Sequence, residues 1–360
     1  MKNYVYKFKL IITTNQREAL WRYFGCWRFV RNYYLNKSIQ DYQQNKDKKR
    51  NKYEYTNDLV GLKKEYEWLK EVNSQSLQAT LENLDVAYNK FFTKWWGFPN
   101  FKKKQSKQSV KIPQHFKIEW NRIYIPKMKQ WLKFIKHREI EWKVKSLVIS
   151  QDTDWKYYVS ILVEKEIKED KKTKKEVWID LWLKDLAITS DWKKYKTKKQ
   201  DTKEIERLQM WMSKKQKWSS RYKQLKTKIA KLHEANANNR NDYLHKISRS
   251  IVKEYDLIGL ENLNVKWMMW NHKLARAIWN QWWSELVNKL QYKADWYWKT
   301  THQISRWYPT SKQCSKCWNV KKVLKLSERM YQCSECWAEY DRDIWAAENI
   351  LRYTKVELKL

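Results

Sequence analysis

Four of the five cysteines fall in two Cys-x-x-Cys pairs, Cys314 with Cys317 and Cys333 with Cys336, with fifteen residues between the pairs. That spacing is the one zinc ribbons use, in which two tight knuckles each give two thiolates to one tetrahedral ion. Four sulfur ligands leave no open coordination position, so the Zn2+ expected here is structural and not catalytic. Thiols paired at metal spacing, in place of a disulfide framework, suit a reducing compartment. Cys26 stands apart and reads as a buried core thiol.

Three carboxylates sit where an acid needs a reason. Asp180 lies inside the apolar run Val177-Trp178-Ile179-Asp180-Leu181. A charge there is costly unless it is paired or bound to a metal. Glu261 ends the run Leu257-Ile258-Gly259-Leu260, and Asp343 lies in Asp341-Arg342-Asp343, just ahead of a helical segment, Ile344–Tyr353. Carboxylates at strand ends and a helix start can converge on two Mg2+ ions for phosphodiester hydrolysis. Taken singly, each also reads as a solvated strand end or a helix cap, and spacing alone does not bring them together.

The charge balance points to the partner. The chain has 76 Lys+Arg against 40 Asp+Glu, a net +36 over 360 residues. That exceeds what solubility needs and implies a polyanion, most simply nucleic acid bound in a salt-dependent way. Arg28, Arg31 and the run Lys102, Lys103, Lys104 on one side, and Lys214, Lys215 and Arg221 on the other, are the candidate backbone contacts. Any one of them also reads as an ordinary solvated side chain. A membrane partner is not expected, since no stretch nears 18 apolar residues. Met1–Leu10 carries lysines at 2, 7 and 9 and no apolar leader, so a cytoplasmic location is expected.

The elements that must position these residues follow from periodicity. Tyr6, Phe8 and Leu10 alternate with Lys7 and Lys9, which predicts a strand over 5–11. Thr13-Thr14-Asn15 offers caps for a long helix to about Tyr42, and helical patterning resumes from about Asn57 to Thr93. Strands are expected at Arg122–Ile125, Trp131–Ile135, Lys145–Ile149 and Tyr157–Val163, followed by a charged linker, Lys165–Lys175. Val177–Ile188 reads as a central hairpin and Asp256–Leu260 as a short buried strand. Residues 202–255 read as a basic helical hairpin turning at Asn236–Asn241. Residues 273–299 read as helix and Thr301–Arg306 as strand.

One imbalance cuts across all of this. The chain has 25 Trp and 4 Gly, where ordinary usage would give about 25 glycines. Asp154-Trp155 and Asp191-Trp192 occupy hairpin-turn positions, and Cys317-Trp318 and Cys336-Trp337 follow the knuckles. Such positions need φ > 0, which glycine supplies freely and tryptophan does not. The expectation is that UGA codons read as glycine in the native host stand here as Trp. A Trp-rich surface that stacks on bases is the alternative, and it would place Trp on basic helical faces.

Whole-chain motifs add a family. Ile179-Asp180-Leu181-x-Leu183-Lys184-Asp185, Gly259-Leu260-Glu261-Asn262-Leu263, Asn271-x-Lys273-Leu274-Ala275, Trp283-x-Glu285-Leu286, Arg306-Trp307-Tyr308-Pro309-Thr310-Ser311-Lys312-x-Cys314 and Asp341-Arg342-Asp343-x-x-Ala346-Ala347-x-Asn349-Ile350 resemble the TnpB (OrfB) insertion-sequence family, relatives of type V CRISPR effectors. So do Phe29-Val30-x-Asn32, Asn73-Ser74-Gln75-x-Leu77-Gln78 and Phe98-Pro99-x-Phe101-Lys102 in the N-terminal half. The resemblance implies an α+β multidomain chain. A wedge-like β-barrel (1–12 and 105–165) is interrupted by a helical recognition block (13–104). An RNase H-like (RuvC) α/β nuclease domain follows (176–310 and 341–360), with a zinc ribbon inserted (311–340). It implies an RNA-guided DNA endonuclease whose triad is Asp180, Glu261 and Asp343 on Mg2+, with a guide RNA and target double-stranded DNA as partners. A non-catalytic accessory of transposition and a transposase are the alternatives. Trp345 stands where the family has Asn. Trp178, Trp182, Trp192, Trp267, Trp282, Trp298, Trp318 and Trp337 stand where it has Gly, while Trp68, Trp283, Trp296 and Trp307 match a family Trp.

Overall fold

A computed structural model describes residues 1–46, 51–94, 97–152, 155–167, 170–181, 185–198, 202–262, 270, 282–305, 308–309, 312–321 and 330–358, without the side chains of 94 and 341–347. Trp182, Trp267, Trp307 and the motif segments at 183–184, 263, 271–275, 306–307 and 310–311 lie outside the described residues, as does the side chain of Trp345. The chain divides into two units, Met1–Glu166 and Ile167–Leu360.

In the first unit, β1 (Lys2–Ile11) buries Tyr6, Phe8 and Leu10 and exposes the alternate residues, as its period of two requires. The helix α1 (Thr14–Gln44) starts at a capping box. Gln16 N–H donates to Thr13 Oγ1 at 3.4 Å, and Thr13 N–H donates to Gln16 Oε1 at 3.0 Å. The helix expected from 57 to 93 is two helices, α2 (Lys52–Glu65) and α3 (Ser74–Lys94), joined through a 3-10 turn, Glu67–Glu71. Asn73 makes the break, because its side chain accepts from the Gln75 amide at 3.1 Å and so starts α3 afresh.

The strands β2 (Gln108–Ile112), β3 (Lys117–Glu119), β4 (Arg122–Ile125), β5 (Gln130–Phe134), β6 (Lys143–Gln151) and β7 (Tyr157–Lys165) join β1 in one antiparallel sheet. Its order is β2-β6-β7-β1-β5-β4-β3. The N-terminal strand therefore pairs with strands more than a hundred residues away, with the helical block looping out between them. Sheet and helices share one core, in which Phe8, Phe24, Tyr34, Leu77 and Phe134 are nearly or fully buried.

In the second unit, β8 (Glu176–Asp180), β9 (Asp185–Thr189), β10 (Lys194–Lys196), β11 (Leu257–Leu260) and β12 (Thr300–Gln303) form a sheet in the order β10-β9-β8-β11-β12. The first three run antiparallel, and β11 runs parallel to both β8 and β12. Helices α4 (Lys203–Ser213), α5 (Ser220–Glu254) and α6 (Trp283–Trp296) follow, and α7 (Arg342–Leu358) closes the chain.

The helical hairpin over 202–255 turns at Lys214–Ser219, not at Asn236–Asn241, which α5 carries through as helix. The asparagine run holds neither Gly nor Pro, so nothing breaks the hydrogen-bond ladder there. At the real turn Trp218 sits at φ 73°, and Ser219 caps α5 by accepting from Tyr222 N–H at 3.2 Å. A glycine at 218 would have signalled that turn.

The four tryptophans singled out in the sequence take the expected backbone. Trp155, Trp192, Trp318 and Trp337 have φ of 67°, 67°, 65° and 53°. For a residue with a Cβ the left-handed region costs on the order of 1–2 kcal/mol.

Candidate metal centres

Strand parity decides where the two sheet carboxylates point. On β8, Val177 and Ile179 enter the core shared with α5 and α6, whereas Trp178 packs with Ile350 and Tyr353 of α7. Asp180 shares the parity of Trp178 and so lies on the α7 face. On β11, Ile258 and Leu260 enter the α5–α6 core, so Gly259 and the following Glu261 belong to the α7 face as well. Gly259 leaves room there for α7. A Cβ on it would stand 3.0 Å from Thr354 Oγ1 and 3.6 Å from Ile350 Cγ2, so α7 packs closely over this position and Thr354 would have to give by a few tenths of an ångström.

The parallel register pairs Leu260 with Ile179, which sets Glu261 beside Asp180 at the carboxyl ends of both strands. Burial, and then the adjacent Asp180 carboxyl, push Glu261 up to about 7. Two adjacent half-buried carboxyls are oxygen donors suited to a hard divalent cation, which would relieve the repulsion between them. Asp343 falls in the first turn of α7, the helix that packs on β8 and β11, and its side chain lies outside the described residues. The structure thus brings Asp180 and Glu261 together and places the backbone of Asp343 on the helix that covers them.

The four paired cysteines converge, with all four sulfurs within 4.8 Å of one another. Cys314 and Cys336 Sγ are 3.5 Å apart, and Cys317 and Cys333 Sγ are 3.4 Å apart. Zinc bonds of about 2.3 Å in a tetrahedron imply sulfur separations of roughly 3.8 Å, so the cluster fits one Zn2+. The two knuckles share a backbone pattern: Cys314 N–H donates to Asn319 C=O at 2.8 Å, and Cys333 N–H donates to Ala338 C=O at 2.9 Å. Burial raises the Cys333 thiol, but the backbone N–H groups of Cys336 and Glu335 together with the Cys317 and Cys336 thiols outweigh it and bring Cys333 down to about 6, favouring the thiolate that a metal needs. The strands β13 (Met330–Gln332) and β14 (Glu339–Asp341) flank the second knuckle and lead straight into α7.

The first knuckle is tied to α7 by a set of contacts that the sequence did not signal. Asn349 Nδ2 donates to Gln313 C=O at 2.8 Å, and Ser315 Oγ donates to Glu348 Oε2 at 3.1 Å. The Arg352 guanidinium donates to Ser315 C=O, and the Tyr353 hydroxyl donates to Gln313 Oε1. Cys26 is buried, as expected, and burial raises its thiol to about 11, which keeps it neutral and unreactive.

The basic candidates divide. Lys103, Lys104, Lys214, Lys215 and Arg221 are exposed, and Arg28 and Lys102 are half-buried. Asn32 holds the Lys102 backbone on both sides, accepting from its N–H at 2.8 Å and donating to its C=O at 3.0 Å. Arg28 donates to Gln108 Oε1 at 3.0 Å and lines a groove along α1 with Arg22, Phe29, Tyr33 and Trp68. Arg31 corrects the expectation. It is 7% exposed inside the helical core, and its next turn on α1 carries the buried Tyr34 and Leu35, so it does not present a charge to nucleic acid.

Comparison with known proteins places the whole chain. Residues 159–272 match a family model described as a probable transposase (OrfB_IS605), and residues 283–350 match the Cas12f1-like TNB domain. Residues 1–47 match a model described as a helix-turn-helix domain, although here 2–11 form a strand and 14–44 a single helix. A protein of Streptomyces pristinaespiralis named as an RNA-guided DNA endonuclease is 31% identical over 96% of this chain and 88% of its own length. InsQ of Escherichia coli K12, named likewise, is 31% identical over 96% of this chain and 91% of its own. Among solved structures, a chain from the Cas12f1–sgRNA–target DNA complex superposes with a TM-score of 0.56 at 14% identity, over 94% of this chain and 83% of its own, a likeness of fold. No described helix is long and apolar enough to cross a membrane. With relatives of this identity matched along nearly their full length, and with the OrfB and TNB models in register with the sheet and the cysteine ribbon, the chain belongs to the TnpB (OrfB) family of insertion-sequence proteins.

Proposed function

We propose that this protein is an RNA-guided DNA endonuclease that hydrolyses phosphodiesters at a centre formed by Asp180, Glu261 and Asp343. One observation carries the reading: Asp180 and Glu261 stand side by side on the sheet face covered by the helix that bears Asp343. The sheet order, three antiparallel strands followed by two parallel ones, is what an RNase H-like nuclease requires and supports the same assignment.

Asp180, Glu261 and Asp343 would hold two Mg2+ ions. When bound, such a pair activates the attacking water and stabilises the leaving oxygen. The chain's own contribution is to fix the carboxyl oxygens of Asp180 and Glu261 side by side on rigid strands, so that their charges converge on one place. The four-cysteine ribbon would hold Zn2+ structurally. Guide RNA would supply sequence recognition by base pairing, while the protein reads duplex shape and a short flanking motif in the double-stranded target. Lys103, Lys104, Lys214, Lys215 and Arg221, with Arg28 and Lys102, are the proposed backbone contacts. The wedge-like assignment of 1–12 with 105–165, the recognition block 13–104, the nuclease segments 176–310 and 341–360 and the ribbon 311–340 remain the proposed domain limits.

RNA recovered with the purified protein tests this reading. The expected result is one dominant RNA species with a constant segment and a separate variable guide segment. Protein that carries no specific RNA yet joins DNA ends would be a transposase, and protein that binds DNA without cutting or joining it would be an accessory factor.

A further inference from the structure

Tryptophan accounts for 25 of 360 residues. Among the described residues, thirteen that are not glycine have positive φ, and nine of these are Trp120, Trp142, Trp155, Trp192, Trp218, Trp282, Trp298, Trp318 and Trp337. None of the chain's own glycines has positive φ. The residue with the largest side chain thus occupies the backbone region that favours the residue with none.

The local motifs say what each position is built for. At Trp155 and Trp192 the pattern is the same. The Trp N–H donates to the carbonyl three residues back, at 3.0 Å from Asp152 and 2.9 Å from Thr189. The strand pair then closes through Asp152 N–H to Lys156 C=O and Thr189 N–H to Lys193 C=O. At both, this hydrogen-bond pattern closes a hairpin through a left-handed residue, a position where glycine is the rule. Trp120 is the first residue of a two-residue hairpin between Glu119 and Arg122, where a II′ turn takes glycine. Trp298 follows α6, and Lys299 N–H returns to Ala294 C=O at 2.9 Å, the long bond of a Schellman cap whose left-handed residue is usually glycine. Trp318 and Trp337 take equivalent places in the two knuckles.

Eight of the nine indoles are driven outward, with exposures from 43% to 90%, and only Trp282 is buried. These nine sit in turns and caps, not on the basic helical faces where a base-stacking role would place them. Trp283, by contrast, is 3% exposed at the start of α6, where its ring joins the core with Leu286 and Leu290. At Trp178 the strand backbone is ordinary and gives no argument either way.

We propose that glycine is the native residue at these nine positions, and that their codons are UGA read as glycine by the host's own tRNA. A consequence follows for the element itself. Its product is complete only in a cell that reads UGA as an amino acid, and is a sound nuclease scaffold only where that amino acid is glycine. In a cell that stops at UGA, synthesis ends at the first such codon.

The test has two arms. Codons are read from the gene, and the ninefold Trp→Gly chain is compared with the chain carrying Trp throughout. The expected results are UGA at all nine and UGG at Trp283. The glycine chain should melt higher by on the order of 10 °C or more and lose the self-association of the exposed indoles, while Trp283→Gly alone melts lower. UGG codons at Trp155, Trp192, Trp318 and Trp337 would overturn the proposal, as would a ninefold glycine chain that melts lower than its parent.

A separate observation concerns α7. The second knuckle runs covalently into this helix through β14, and the first knuckle is bonded to it at Asn349, Glu348, Arg352 and Tyr353. Knuckle, sulfur cluster, strand and helix therefore close a ring. Asn349 is 2% exposed, so no water replaces its bond to Gln313 C=O. It lies six residues, or about 9 Å along the helix axis, from Asp343. Resting on the proposed nuclease reading, the geometry points to Asn349 as a positioning residue that fixes the first turn of α7, and with it Asp343, against the zinc knuckle.

Mn2+ binding, counted by the EPR signal of the free ion, tests this without turnover. Asn349→Ala is expected to bind Mn2+ at least tenfold more weakly and to need correspondingly more Mg2+ for cleavage, with its zinc content unchanged. Tyr353→Phe should shift both in the same direction by less, and serves if Asn349→Ala does not fold. Unaltered Mn2+ affinity in the folded variants rejects the positioning role. If Asp180→Ala and Asp343→Ala bind Mn2+ as the parent does, the nuclease centre itself is misassigned, a distinct outcome.

Discussion

Asp180→Ala is expected to abolish DNA cleavage, by on the order of a thousandfold or more, or about 4 kcal/mol of transition-state stabilisation. Guide RNA binding and zinc content should stay unchanged. Asp180 ends β8 beside Glu261, and its replacement leaves one carboxyl of the adjacent pair without its neighbour. Removing the partner should also bring Glu261 back down toward its ordinary range, because the Asp180 carboxyl is the second cause of its rise after burial. The loss is therefore one of chemistry and not of fold. The strand keeps Val177 and Ile179 in the core and loses no packing group. Cleavage rates measured alongside RNA binding separate the two. A variant that binds RNA and cuts at the parental rate would remove Asp180 from the centre.

Loss of zinc is expected to have the second large effect, and on stability first. Structural zinc supplies an apparent 10–16 kcal/mol in small ribbons, because the sulfur cage does not exist without it. The ribbon here has little else: its apolar cluster is Cys314, Tyr331, Cys333 and Ala338, with Tyr340 packed against it. Cys333→Ser should leave the chain with less than one zinc per molecule and open 312–341 to limited proteolysis. The effect should spread to α7, whose Asn349 and Arg352 are bonded to the first knuckle and whose first residue follows β14 directly. The α5–α6 side of the sheet, with Leu244, Ile251, Leu286 and Leu290 buried against it, should survive. Proteolysis confined to the ribbon and α7, together with loss of zinc, is the expected pattern. Full zinc occupancy in Cys333→Ser would contradict it.

Much of this was legible in the chain, for identifiable reasons. Two Cys-x-x-Cys pairs carry their own geometry, because each tight knuckle places two sulfurs on one ion. Alternation exposed β1, since a strand's period is fixed, whereas the unbroken apolar run of β8 left its two faces to be told apart by what packs on each. What no local pattern carries is pairing between distant elements. That Glu261 stands beside Asp180 depends on the register of β11 on β8 across more than seventy residues. Arg31 was misplaced for a similar reason. An arginine in a helix reads as surface until the neighbouring helix that buries it is known. The turn at Lys214–Ser219 was missed because a tryptophan stands at its left-handed residue. The unbroken α5 then drew the turn to its asparagines, which tolerate helix when nothing else breaks it.

Guided cleavage tests the central claim most directly. The protein is purified with its RNA and mixed in Mg2+ with one plasmid that carries a sequence complementary to the variable RNA segment beside a library of flanking motifs, and with a second plasmid that lacks the complement. Cutting of the first plasmid alone, at a fixed distance from the complementary sequence and absent with Asp180→Ala, is the predicted result. Equal cutting of both plasmids, or cutting that persists in Asp180→Ala, would contradict it.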